Sequence, residues 1–157
     1  MKKGFVLVLV VTMLICSIPV YAQGQKGENL DTSAVSKVYL LSSGVRLVEM
    51  VPEIQQRTRS SVTGSKSYNC IDSNNAIVWT AKLTASFYYD GGTSYATAAS
   101  CTTTVLSGNW HESYNNAYYA GNVAYARVEM QLLFLFIVIN TEEANLTLTC
   151  DANGNLT

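Results

Sequence analysis

The residues of this chain that could do chemistry are few and scattered. His111 is the only histidine among 157 residues and stands in Asn109-Trp110-His111-Glu112-Ser113. A histidine beside a serine and a carboxylate raises the question of a Ser–His–acid hydrolase, in which a third group must orient the base. No nucleophile elbow or oxyanion-loop signature accompanies it. His111 therefore reads as an exposed loop residue, and no catalytic residue is assigned. Cys70, Cys101 and Cys150 are 31 and 49 residues apart, whereas structural zinc sites draw their ligands from close pairs. No metal site and no cofactor are expected. A glycosidase needs two carboxylates across a cleft, and nothing in the spacing of Asp72, Asp90, Glu112, Glu129 and Asp151 groups two of them. Glu142-Glu143 reads as a solvated turn.

Two other features carry more. Trp110, Tyr114, Tyr118 and Tyr119 stand among Asn115, Asn116 and Asn122, in a stretch read as a loop from Gly108 to Gly121. Tyrosine and asparagine together make adaptable binding surfaces, from rigid amphipathic rings and hydrogen-bonding amides. Such a loop could stack on sugars or dock a protein. The competing reading has Trp110 plugging the end of a sandwich while the tyrosines cover its rim. The second feature is Leu132 to Ile139, eight consecutive apolar residues. Even positions Leu132, Phe134, Phe136 and Val138 can fill a core. Odd positions Leu133, Leu135, Ile137 and Ile139 then fall on the wet side and need cover, either from the segment Val38 to Val51 or from a partner. Leu133, Leu135 and Ile137 are the candidate interface.

Composition narrows the classes. Ten Lys and Arg against eleven Asp and Glu give a net charge of −1, without the clustered basic footprint of a nucleic-acid binder. An apolar fraction of 48% is too high for a disordered chain. Lys2-Lys3, the apolar run Phe5 to Ile18, Pro19 and Val20-Tyr21-Ala22 have the three regions of a signal peptide cut before Gln23. The run is about 14 residues, short of the ~20 a spanning helix needs, so the mature form is expected to have no membrane span. A lipoprotein reading fails because Cys16 follows Met13-Leu14-Ile15, inside the apolar run. Cleavage leaves 135 residues and, without Lys2 and Lys3, a net charge of −3. Export puts the remaining thiols in an oxidising compartment.

The elements that must position these residues are strands. Gln23 to Ser36 reads as a flexible lead, and Lys37 to Val51 as a short hairpin about Ser42-Ser43-Gly44. Gln55 to Ser65, with Arg57-Thr58-Arg59, reads as a linker that could be a processing site. Residues 23–59 are thus expected to be lead and linker, and 60–157 a β-sandwich domain. From Ile77 to Tyr89 the odd positions are apolar and the even ones largely polar, the period of a half-buried strand. Asp90-Gly91-Gly92-Thr93 turns the chain. Matching faces pairs Tyr89 with Tyr95, Ala85 with Ala99 and Leu83 with Cys101, because a one-residue slip would move every side chain to the other face. Ala124 to Leu132 alternates again. A turn at Asn140 to Glu143 would pair Phe136 with Leu146, Phe134 with Leu148 and Leu132 with Cys150. No helical period of convincing length appears after Ser60. The expected fold is all-β, a small antiparallel sandwich, immunoglobulin-like or related.

Spacing alone does not choose a disulfide among three cysteines. Cys70–Cys150 is favoured because it would tie the first strand of the domain to the last, contributing roughly 4 kcal/mol by loop entropy.

The segments Thr63-Gly64-Ser65-Lys66-Ser67-Tyr68-Asn69-Cys70, Trp79 to Phe87 and Leu146 to Gly154 resemble a group of small secreted all-β proteins of Gram-positive, gut-type bacteria, with a domain of unknown function. The likeness covers about residues 57–154. It implies export, a Gram-positive source and an all-β domain, and it transfers no catalytic or binding residue. Asn109 to Tyr119 and Leu133 to Ile139 depart from the group's pattern. The expected function is surface recognition or assembly outside the cell by a non-enzymatic protein. The alternative is a carbohydrate-binding module using the Trp110–Tyr119 loop, with a hydrolase a distant third. Expected partners are a protein or glycan at the cell exterior, or a second copy of the chain, and not nucleic acid.

Overall fold

The computed structural model describes residues 34–41 and 43–157. The expected signal peptide and most of the expected lead lie outside the described residues. Nine strands follow in order: β1 (Val35–Leu40), β2 (Arg46–Met50), β3 (Glu53–Arg57), β4 (Ser61–Ile71), β5 (Ile77–Tyr89), β6 (Ser94–Val105), β7 (Trp110–Ala120), β8 (Val123–Phe134) and β9 (Ile137–Thr149). One antiparallel sheet runs β1-β2-β4-β5-β6, with β3 also paired to β4, and a second runs β7-β8-β9. The chain is the all-β sandwich its strand pattern predicts. Its connectivity is a sequential meander, without the return crossing of a Greek key.

The core forms where the period-2 faces meet. Trp79, Ala81, Leu83, Ala85 and Phe87 of β5 are all buried, opposite Ala124, Ala126, Val128 and Met130 of β8 and Ala144, Leu146 and Leu148 of β9. Burying each large apolar side chain contributes about 1.5–3 kcal/mol. The expected β5–β6 register holds in its middle, with Leu83 opposite Cys101 and Ala85 opposite Ala99. Nearer the turn it shifts, so that Phe87 meets Ala96, Tyr88 meets Tyr95 and Tyr89 meets Ser94. The cause is a bulge at Thr97, which turns Ala96 inward and leaves Tyr95 half-exposed.

Three expectations are corrected. The stretch 55–59 is not a linker: β3 pairs with Val62–Ser65 while β2 pairs with Tyr68–Ile71, both along one edge of β4. Every residue of β3 is exposed, so its contribution is a backbone ladder that no hydrophobic period reveals. The stretch 108–121 is not a loop either, because Trp110–Ala120 is a strand paired with β8. A bulge between Glu112 and Tyr114 interrupts its alternation. Finally, the β8–β9 turn falls at Leu135-Phe136, between the paired Phe134 and Ile137. The expected turn at 140–143 keeps the same faces inward but pairs only Leu132 to Phe134 of β8 with the segment ending at Cys150. The observed register pairs β8 along its whole length and buries Ala144. Phe134, Phe136 and Val138 are consequently exposed and fill no core.

Cys70, Cys101 and Cys150 are unpaired, so the expected Cys70–Cys150 bridge is not formed. Cys70 lies near Glu142 of β9, whereas Cys150 lies at the far end of that strand, near Arg57. Eight residues of extended chain span roughly 26 Å, against about 6 Å between bridged Cα atoms.

Candidate functional site

The outer face of the second sheet collects polar and aromatic side chains in three cross-strand rows. Tyr118 of β7 pairs with Tyr125 of β8, which pairs with Thr147 of β9. Asn116, Arg127 and Asn145 make the next row, and Tyr114, Glu129 and Glu143 the third. The alternation that sends Ala124, Ala126 and Val128 into the core sends Tyr125, Arg127 and Glu129 outward. Two short turns keep the rows aligned, one of them at Gly121, whose φ of 57° suits glycine.

Within this grid the Tyr118 and Tyr125 rings stack, with centroids 4.9 Å apart and planes 16° apart. Arg127 donates to Glu129 Oε1 at 2.6 Å and to Glu143 Oε2 at 2.8 Å. Its guanidinium also lies 5.8 Å from the Tyr114 ring centroid, within reach of a cation–π attraction. A shallow groove of about 290 Å³ runs between the rows, lined by Tyr114, Tyr118, Tyr125, Arg127, Asn145 and Thr147 among others. The side chains are largely exposed, so each ion pair adds only about 0.2–1 kcal/mol. Their value is geometric, since Arg127 fixes two carboxylates beside a stacked aromatic pair. Such a surface can stack on an apolar ring face and hydrogen-bond hydroxyls at its rim.

The sequence reading named some of these residues and missed others. Tyr114 and Tyr118 are half-exposed and belong to the platform. Trp110 does not, being 6% exposed with its ring 6.2 Å from that of Trp79; it packs inside the sandwich. Tyr119 is half-exposed but projects from the opposite face of β7. Tyr125, Arg127 and Asn145 were missed, although the β8 alternation already marked Tyr125 and Arg127 as outward. Glu129, read as ungrouped, and Glu143, read as part of a solvated turn, are brought together by Arg127. Glu142, read with Glu143 as a solvated turn, is 5% exposed and accepts a hydrogen bond from Asn140 Nδ2 at 2.7 Å. His111 is exposed on β7, opposite Gln131. Leu135 and Ile137 are exposed and Leu133 half-buried at the hairpin tip.

A second polar cluster lies inside. Glu49 is 4% exposed. Lys66 Nζ is 2.8 Å from its Oε1, and Tyr39 and Tyr68 hydroxyls donate to Oε2 at 2.9 and 3.2 Å. Burial pushes the Glu49 carboxyl up, but the Lys66 and tyrosine donors outweigh it and hold it below its ordinary value. The Tyr68 phenol is pushed well above its ordinary value by burial and by Glu49. The thiols are held protonated. Burial, with Glu142 and Asp72, pushes Cys70 up to about 12, and burial with Glu112 pushes Cys101 up to about 11. Thiols so shifted are poor nucleophiles at neutral pH.

The chain matches no protein-family model, no curated protein and no solved structure.

Proposed function

We propose that this chain is a non-enzymatic recognition module acting outside the cell, and that it binds carbohydrate on the outer face of β7-β8-β9. The observation that carries the reading is the stacked Tyr118–Tyr125 pair set beside Arg127, Glu129, Glu143 and Asn145. A sugar ring has an apolar C–H face and a rim of hydroxyls. The tyrosines suit the first, and the fixed carboxylates, guanidinium and amide suit the second. The carbohydrate reading moves from the expected Trp110–Tyr119 loop to a strand face, retaining Tyr114 and Tyr118. A glycan array and titration with purified cell-wall polysaccharide test it. Tyr118→Ala with Tyr125→Ala should weaken the strongest interaction at least tenfold, about 1.4 kcal/mol, with a thermal midpoint within a few degrees of the parent. Unchanged binding to every array and cell-wall ligand would end the proposal.

A further inference from the structure

The hairpin tip is apolar where turn chemistry asks for something else. Leu135 and Phe136 form a two-residue turn at φ 49° and 66°, a conformation that Asn-Gly adopts with little strain and that branched or bulky side chains resist. Phe136 is 98% exposed and Leu135 75%, with Phe134 at 62% and Ile137 at 67%. The fold therefore bears strain for side chains that it does not itself bury. Strain kept at an exposed point is a mark of function.

We infer that this tip docks on a lipid bilayer, inserting Phe134 to Ile139 into the interfacial region. Shape and size favour a bilayer over a protein. A standard protein interface takes about 20–30 residues a side, whereas the tip offers six, at the point of a two-stranded hairpin. A fluid bilayer requires no complementary shape. The tip extends past the last β7 pairing, Trp110 with Leu132, by about three residues, or ~10 Å. That matches the ~5–10 Å to which apolar elements sink at a membrane surface. The ladder pairs Leu133–Val138 and Phe134–Ile137 satisfy backbone groups that face each other, as an apolar medium demands. Leu40, Val105 and Leu106 are also exposed. Pairing of Leu40 with Arg46, Arg46 with Ile71 and Trp79 with Val105 puts them at the same end of the sandwich. Leu132 to Thr141 holds no ionisable residue, so binding should not depend on anionic headgroups or on salt.

The test uses the full chain and phosphatidylcholine vesicles. Parent protein and Leu135→Asn/Phe136→Gly share residues 1–33, so any difference between them reports the tip. Parent protein should co-float with vesicles, half-bound at accessible lipid on the order of 0.1–1 mM, as for a single acyl chain. The double variant, whose turn is relaxed, should keep or raise its thermal midpoint and lose at least tenfold in partitioning. Phe136→Trp should show blue-shifted emission quenched by brominated lipid. Equal flotation of parent and double variant overturns the inference, as does emission from the Phe136→Trp variant that lipid leaves unmoved. It also falls if the parent sediments as a lipid-free dimer that the double variant abolishes, because the tip is then a self-association face.

Discussion

At the scale of single residues, Glu49 is a carboxylate 4% exposed, paired with one ammonium and accepting hydrogen bonds from two phenols. Removing one partner of a buried pair leaves an uncompensated charge, which costs about 3–5 kcal/mol when burial is complete. Lys66 retains 12% side-chain exposure, so Lys66→Met should cost about 3 kcal/mol in urea unfolding at pH 7. The pH dependence has a definite sign. The folded carboxyl binds its proton more weakly than the unfolded one. Its stabilisation is therefore present above the unfolded value, near 4.5, and is lost as pH falls through the folded one. Parent stability should drop on acidification from pH 5, and Lys66→Met should flatten that drop. An equally steep acid limb in the variant would place its origin elsewhere.

At the scale of elements, the β8–β9 hairpin shows backbone pairing and packing prevailing over turn propensity. Placing the turn at Leu135-Phe136 aligns twelve residue pairs between the strands and buries the Ala144–Leu148 face. Against that, two left-handed non-glycine residues cost on the order of 1–3 kcal/mol each. Leu135→Asn/Phe136→Gly should accordingly stabilise the isolated protein by about 1–2 kcal/mol, read as a higher denaturation midpoint at unchanged slope. A lower midpoint would show that the apolar tip contributes to the fold. The same hairpin explains why the apolar run misleads as a sequence. Eight apolar residues read as one strand with its even positions in the core, yet only Leu132 packs against the core. The run was legible as a surface in need of cover, not as a turn.

At the scale of the molecule, the two sheets are joined at one end by the chain's own C-terminal turn. Arg57 donates to the Gly154 carbonyl, Gly91 N–H donates to Ala152 at 2.8 Å, and Ser94 Oγ donates to the Cys150 carbonyl at 2.7 Å. Cys150 bridges to Leu156, and Leu156 sits over Gly64, where a Cβ would also come 2.7 Å from the Glu53 carbonyl oxygen. Gly154 has φ 80°, and a Cβ there would meet the Tyr89 ring at 2.5–2.9 Å. Gly154→Ala combines a left-handed backbone with that overlap and should cost about 2–4 kcal/mol, seen as a fall in thermal midpoint of roughly 6–20 degrees. A fall of less than about two degrees would mean that the turn can leave the sandwich without loss.

The residue pattern alone was enough to place the period-2 faces of β5, β8 and β9, the hairpin of β1 and β2, and the middle register of β5 with β6. Each follows from side chains alternating across a pleated strand with one face buried. Where pairing begins and ends was settled only by the packed fold. Bulges at Thr97 and Ser113 reverse local faces, so Tyr95 turns out and Trp110 falls on the opposite face of β7 from Tyr114 and Tyr118. β3 joins the sheet through its backbone ladder and the Gln55 to Ser65 hydrogen bond, neither of which leaves a hydrophobic period. The Tyr–Arg–Glu platform draws on three strands, and its rows exist only once both hairpin registers are set. Trp110 takes the packed place that one of its two readings gave it, and Phe136, expected in the core, meets water. Residue type makes both candidates for a core or a surface, and the register decides which one meets water.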